Sequence, residues 1–160
     1  MAIEAIKQDP AWMGGEYKTE PVQGLRTVAE IIMIMGSSPL QMQKQAPTRE
    51  LAEAYVNNYL KRTTSMDAND AIYYLNASRN YDPSPRLEQI KTPVLWINSA
   101  DDFINPPELG IAEKVVKRMP NARFILLPIS DATRGHGTHT VAAVWKDYLA
   151  EFMRATEPRP

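Results

Sequence analysis

Two short polar segments near the end of the chain carry the side chains best suited to chemistry. The first, residues 98–107, contains Asp101 and Asp102, and the second, residues 133–139, contains His136. A carboxylate that accepts a hydrogen bond from one imidazole nitrogen fixes the ring tautomer and leaves the other nitrogen as a general base. The residue types therefore predict an acid–histidine pair, with either aspartate as the acid.

The elements around these segments are expected to bring them together. Residues 93–97 and 123–127 are apolar runs typical of buried strands, and each polar segment lies between such a run and a helical pattern. Strands that alternate with helices predict an α/β fold with a parallel sheet. In open α/β sheets, functional groups lie beyond the carboxyl ends of the strands. Both segments should therefore meet at one edge of the sheet.

The two helices of this half have clear starting signals. Pro106 and Pro107 predict a helix that begins there and continues to about Met119, because proline is tolerated in a first turn. The last helix is predicted from apolar residues at three- and four-residue steps, namely Val141, Val144, Trp145, Tyr148, Leu149 and Phe152. Two strands cannot make a stable sheet alone, so further strands are expected beside them.

The first half of the chain is predicted to be helical. A short helix over residues 1–8 is followed by a loop rich in glycine and proline. A helix over residues 25–35 buries a stripe of Val28, Ile31, Ile32 and Met35, and ends near Gly36 and Pro39. Thr48 is expected to cap the next helix. A third is expected over residues 66–77, with Asp67 or Asn69 as the cap and Ile72, Tyr73 and Leu75 facing inward.

Composition excludes several classes of function. The chain has 160 residues, 44% of them hydrophobic, with a net charge of −1 and no cysteine. This charge gives no reason to expect nucleic acid or an anionic membrane as partner, and no apolar stretch is long enough to span a bilayer. Without cysteine there are no disulfides, thiol nucleophiles or cysteine zinc sites. The N-terminus does not look like a signal peptide, so a soluble, cytoplasmic location is favoured although the compartment stays open.

The histidine segment also permits a metal-site interpretation. His136 and His139 have the His-x-x-His spacing, and Asp131 could add a third ligand. Because this spacing falls in a loop rather than on a helix, the acid–histidine interpretation is preferred and no metal is predicted. His139 is then expected to cap or pack against the last helix.

The residue pattern resembles the homoserine O-acetyltransferase-like α/β-hydrolases. Two regions carry the resemblance. One looks like the start of that family's lid: Asp9, Pro10, Ala11, Trp12, Met13, Gly14, Gly15, Glu16 and Tyr17, then Pro21, Gly24 and Leu25. The other looks like its acid and histidine segments: Ile90, Lys91, Thr92, Pro93, Val94 and Leu95, then Asp102, Pro106 and Pro107, then Gly135 and His136.

The resemblance implies a serine hydrolase with part of its fold missing. Asp102 is the implied acid, because it precedes Pro106 by four residues as the acid does in that family, and His136 is the implied base. The family's serine lies in a Gly-x-Ser-x-Gly turn, which this sequence lacks. Ser37 and Ser38 follow a helix rather than a strand, and Ser99 belongs to the strand that leads to the acid, so none of these is a credible nucleophile.

The chain is therefore interpreted as a helical lid over residues 1–88 and a C-terminal α/β-hydrolase segment over residues 89–155. It would act on a small ester or acyl substrate without a cofactor and be inactive without an N-terminal half that carries the serine. Gly137 and Thr138 stand where the family's acetyltransferases have an acidic residue after Gly-His, which favours an esterase over a homoserine O-acetyltransferase. The alternatives are a non-catalytic helical interaction module, in which Asp102 and His136 lie apart, and self-association into a homo-oligomer through exposed sheet edges.

Overall fold

The computed structural model describes residues 1–63 and 66–157, and it divides into two compact units. The first unit contains residues 1–35 and the described residues between 42 and 81; the second contains residues 36–41 and the chain from Asp82 onward. The helices are α1 Ala2–Lys7, α2 Val22–Gly36, α3 Pro39–Gln45, α4 Arg49–Thr63, α5 Ala68–Asn76, α6 Ile111–Val116 and α7 Ala142–Thr156. The strands are β1 Val94–Ser99 and β2 Ala122–Leu127.

The first unit is built from helices around a small apolar core. Its buried side chains are Ile6 of α1, Leu25 and Val28 of α2, and Ala68 and Ala71 of α5. Of the stripe predicted for α2, Val28 is buried and Ile31 and Met35 are half-buried, whereas Ile32 is 38% exposed. Ala29 and Met33 are buried in addition. Because alanine side chains are small, α1 and α5 can approach closely where Ala68 and Ala71 lie. The alanine face of α5 is therefore the buried one.

The predicted caps are present, but two helical details differ from expectation. Leu51 N–H donates to Thr48 Oγ1, and Asp70 N–H donates to Asp67, which is the cap of α5 rather than Asn69. Tyr73 was expected to face inward and is 76% exposed, because Ala68 and Ala71 occupy the buried face. The additional helix α3 begins at Pro39, which had been interpreted only as a helix stop.

A carboxylate, rather than a regular element, joins the two ends of the region 9–24. Asp9 caps a short 3₁₀ turn, Pro10–Gly15, by accepting a hydrogen bond of 2.9 Å from Ala11 N–H. Its second oxygen accepts a 2.9 Å bond from Gly24 N–H in the first turn of α2. These backbone donors lower the pKa of Asp9 below its usual value. The carboxylate therefore fixes the path of the chain between α1 and α2.

Gly24 is expected to be intolerant of any side chain. A Cβ atom there would lie 2.6 Å from Ile6 Cα and 2.7 Å from Ala5 O, both of which are backbone atoms of α1. Gly24→Ala should therefore reduce the free energy of unfolding by about 3 kcal/mol, measured by urea denaturation. Gly36→Ala is the matched control, since nothing lies within 4 Å of its Cβ position. Equal stability of the two variants would contradict this packing.

The second unit contains the predicted parallel strands. β1 and β2 pair in register from Val94 opposite Ala122 to Ser99 opposite Leu127. Trp96 and Phe124 project to the same face and contact edge to face at 5.7 Å. The helix expected to run unbroken from Pro106 to Met119 is interrupted, because Pro107–Leu109 forms a 3₁₀ turn and Gly110 adopts φ 59° before α6.

Within the described residues, no helix is both long enough and apolar enough to cross a membrane.

Candidate active site

The structure brings the predicted acid and base into contact. Asp102 lies three residues beyond the end of β1, and His136 lies in the segment that follows β2. Because the two strands are parallel neighbours, both segments leave the sheet at the same edge. Nδ1 of His136 lies 3.1 Å from Oδ2 of Asp102. The Asp102 side chain is 3% exposed, whereas that of His136 is 38% exposed, so the imidazole remains accessible.

Asp102 is held as a carboxylate by several donors. Its Oδ1 accepts hydrogen bonds from the backbone N–H groups of Ile104, at 2.8 Å, and Asn105, at 3.0 Å. Burial raises the pKa of Asp102, but these bonds and those from the His136 and Asn105 side chains outweigh it, and the pKa lies below its usual value. When Nδ1 of His136 carries the ring proton, it donates to the ionised Asp102, which leaves Nε2 as the nitrogen that could take a proton from a reacting group.

Asp101 has a different role from the one considered for it. The sequence allows either aspartate to be the acid. Instead, the carboxylate of Asp101 accepts hydrogen bonds from the hydroxyl groups of Ser99 and Thr133, the latter at 2.9 Å, and from the backbone of Gly135. Burial raises the pKa of Asp101, but these bonds outweigh it and keep the pKa below its usual value. Asp101 thus ties the histidine segment to the end of β1.

The second histidine contacts the first through its backbone. Nδ1 of His139 lies 2.6 Å from the carbonyl oxygen of His136, and the two ring centroids are 5.3 Å apart. Since a carbonyl only accepts, His139 carries its proton on Nδ1. His139 belongs to the 3₁₀ turn Gly137–Thr140, just before α7. Among the described residues there is no cluster of three or more His, Cys, Asp or Glu side chains that could hold a metal ion.

A cavity of about 470 Å³ opens beside the pair. Its lining combines His136, His139 and Asp102 with apolar side chains of β1 and α7, among them Leu95, Trp145 and Leu149. An apolar wall with a few convergent polar groups is typical of small-molecule sites. Ser99 also lines the cavity, but it is 2% exposed and its hydroxyl donates to Asp101. Ser38 is 1% exposed. That neither serine is a nucleophile stays a prediction.

Sequence reasoning assigned no role to two residues of the site, Asn105 and Thr133. Thr133 Oγ1 donates to Asp101, and the amide of Asn105 contacts both Asp102 and His136. The signal that could have found Asn105 is its place three residues after Asp102, where a backbone N–H commonly donates to an aspartate side chain. No local pattern marks Thr133, because its partner lies 32 residues away.

Acidification is expected to destabilise the fold through these two aspartates. Their pKa values are lower in the folded chain than the unfolded value of about 3.9, so the folded state binds fewer protons in the acid range. The stabilisation is complete above the unfolded pKa and is lost as the pH falls through the folded pKa.

Urea denaturation from about pH 7 to about pH 3 measures this effect. Asp101→Asn and Asp102→Asn should each lose less unfolding free energy over that range than the parent chain. Asp147→Asn, at an exposed position on α7, is the control and should retain the parent's decline. The same decline in all four proteins would contradict the assignment.

Comparison with solved structures identifies the fold. Neither protein-family models nor curated protein sequences match this chain. Among solved structures, homoserine O-acetyltransferase from Bacillus anthracis is similar with a TM-score of 0.77 and 19% identity, over 95% of this chain and 47% of that one. The fold is therefore a partial α/β-hydrolase fold, as the sequence resemblance predicted.

Two esterase structures extend the comparison. The acetyl esterase MekB has a TM-score of 0.69 and 25% identity over 96% of this chain and 48% of its own. An acetylester hydrolase from Corynebacterium glutamicum has a TM-score of 0.68 and 19% identity over 98% of this chain and 48% of its own. The chain thus spans about half the length of these three proteins, which are an O-acetyltransferase and two ester hydrolases.

Proposed function

We propose that this chain is the C-terminal portion of a serine α/β-hydrolase that cleaves small esters through an acyl-enzyme. The observation that carries the proposal is the 3.1 Å contact between Asp102 and His136 beyond the ends of adjacent parallel strands. In a non-catalytic helical module these side chains were expected to lie apart, so the contact argues against that alternative.

The two residues have complementary roles in the proposed reaction. His136 Nε2 takes the proton of a serine hydroxyl as the serine attacks the ester carbonyl, and then returns it to the leaving alcohol. Asp102 holds the imidazole in the required tautomer and stabilises the imidazolium. Water then attacks the acyl-enzyme with His136 again as the base, which releases the acid and regenerates the serine.

The nucleophile is proposed to lie outside these 160 residues. The sequence contains no Gly-x-Ser-x-Gly turn, and the chain spans about half of the similar structures. In the part of the chain that the structure describes, β1 pairs with β2 and with no other strand. Trp145 Nε1, beside the cavity next to β1, is buried without a hydrogen-bond partner among the described residues. Both features support a partner segment that adds a strand to β1.

The substrate and the lid are further parts of the proposal. The substrate is a small ester, and residues 1–88 are proposed to form the lid of the hydrolase. Gly137 and Thr138 follow Gly-His in place of an acidic residue, which favours water over a second substrate as the acyl acceptor. An acyltransferase is the second candidate, because homoserine O-acetyltransferase is among the similar structures. No cofactor is required by either reaction.

Labelling with a fluorophosphonate serine probe, read by intact mass, tests this proposal. We expect a second, co-purifying polypeptide to be labelled while this chain stays unmodified, because its serines lack the activating arrangement. Heat-denatured material is the control and should not be labelled. A label on a serine of this chain, or no label on any co-purifying polypeptide, would contradict the proposal. Light scattering separates such a complex from a homo-oligomer of this chain.

A further inference from the structure

The side chain of Asn105 lies between the two proposed triad residues. Its Nδ2 is 3.3 Å from Oδ2 of Asp102 and 3.3 Å from Nδ1 of His136. The position of Asn105 is itself fixed, since its carbonyl accepts a 2.8 Å hydrogen bond from Asn98 and its N–H donates to Asp102. The amide nitrogen of Asn105 therefore lies within hydrogen-bond distance of both a carboxylate oxygen of Asp102 and a ring nitrogen of His136.

The orientation of the amide follows from its neighbours. If the amide were reversed, its oxygen would face an ionised carboxylate oxygen, and two acceptors would oppose each other without a proton. Nδ2 therefore faces Asp102 and donates to Oδ2. With two backbone donors on Oδ1, the Asp102 carboxylate then receives four donors, which fills its usual capacity.

This arrangement gives Nδ1 of His136 two possible partners. When Nδ1 carries the proton, it donates to Oδ2, an oxygen that it shares with the Asn105 amide. When Nδ1 is bare, it faces Oδ2 with no proton between them, and a hydrogen bond from Asn105 Nδ2 to Nδ1 offsets part of that repulsion while the ring proton resides on Nε2. Only the first tautomer leaves Nε2 free to accept a proton from a nucleophile. Asn105 is thus able to stabilise a tautomer that cannot act as the base.

We propose that Asn105 is a positioning residue that sets the tautomer balance of His136 by competing with it for Asp102 and offering its Nδ1 an alternative donor. The functional role of Asn105 rests on the proposed hydrolase activity. In that enzyme, Asn105 would limit the fraction of His136 in the tautomer that can act as the general base. The tautomer balance itself is a property of this chain. The charged or titratable side chains facing the His136 ring or holding its segment are Asp102, Asp101 and His139.

The experiment measures imidazole ¹⁵N chemical shifts in the 160-residue chain at about pH 9, where free imidazole is neutral. The shifts distinguish a protonated ring nitrogen from a bare one. His136 and His139 are the only histidines, and His139→Gln assigns their signals. His139 is also an internal reference, because its Nδ1 faces the carbonyl oxygen of His136.

Asn105→Ala should raise the ratio of the Nδ1–H to the Nε2–H form of His136 by about two- to ten-fold, the effect of losing one hydrogen bond. Asn105→Leu keeps nearly the same shape without a donor or a charge and should shift the ratio in the same direction. Asn121→Ala is the matched control; that amide donates to the Lys91 carbonyl at 2.6 Å and should leave the ratio unchanged. If the His139 reference signals are lost in Asn105→Ala, the ratio measured in Asn105→Leu decides.

An unchanged His136 ratio in a folded Asn105 variant would overturn the inference, as would an equal shift in Asn121→Ala. Neither result bears on fluorophosphonate labelling, which tests the proposed function separately. Conversely, failure to find a labelled serine would overturn the hydrolase proposal and leave the measured tautomer balance standing.

Discussion

Replacing His136 by alanine is expected to lower ester hydrolysis by the assembled enzyme by about 10⁶-fold, because the variant loses the proposed general base for the serine. The assembled enzyme is this chain together with the polypeptide that the fluorophosphonate probe labels. Asp102→Asn should reduce kcat by about 10⁴-fold, since an amide in this place favours the wrong imidazole tautomer. Hydrolysis of p-nitrophenyl acetate measures both rates.

The controls for this prediction separate chemistry from folding. Asp147→Asn makes the same chemical change on the exposed surface of α7 and should leave kcat within two-fold of the parent, roughly the spread expected of a neutral surface change. Fluorophosphonate labelling should slow in the His136 and Asp102 variants, because it requires the same proton transfer. Full activity in His136→Ala would show that His136 is not the general base and would contradict a catalytic role for this chain.

Gly135→Ala is expected to be the most disruptive single change in the histidine segment. Gly135 has φ 58°, and a Cβ atom there would lie 2.5 Å from Ser37 O and 3.2 Å from Asp101 O. Left-handed backbone costs a residue with a side chain about 1 kcal/mol, and the collision with two backbone oxygens adds about 1–3 kcal/mol. The adjacent His136 should move away from Asp102. Urea denaturation measures the loss of stability.

Gly110→Ala is the matched control for this change. Gly110 has almost the same φ, 59°, but only Lys114 Cε, at 3.9 Å, lies near its Cβ position. It should lose about 1 kcal/mol, the cost of backbone strain alone, and keep the His136 imidazole signals of the parent chain. Equal losses in the two variants would show that the contacts of Gly135 with Ser37 and Asp101 do not constrain the segment.

Much of the fold was encoded locally. The strands were predicted from short apolar runs and lie at Val94–Ser99 and Ala122–Leu127. Such runs were expected to be buried on both faces, whereas their side chains are mostly half-buried and Leu126 is 39% exposed. The caps at Thr48 and Asp67 were also predictable, since a capping side chain bonds a backbone N–H only three residues away. The position of Asp102 and His136 at one sheet edge followed from the strand order.

Other features were decided only by tertiary contacts. Asp101 and Asp102 are adjacent and chemically identical, and only the packed chain directs one to Thr133 and the other to His136. The break at Gly110 and the exposure of Tyr73 likewise depend on what each helix packs against rather than on its own periodicity. Asn105 acquires its second contact from a residue 31 positions away. The sequence by itself determined which chemical groups reach the end of the two strands, whereas long-range packing decided which of them pair. The physical reason is that a hydrogen bond requires two atoms to lie within about 3 Å of each other, and the spacing of residues along the chain does not define distances that short.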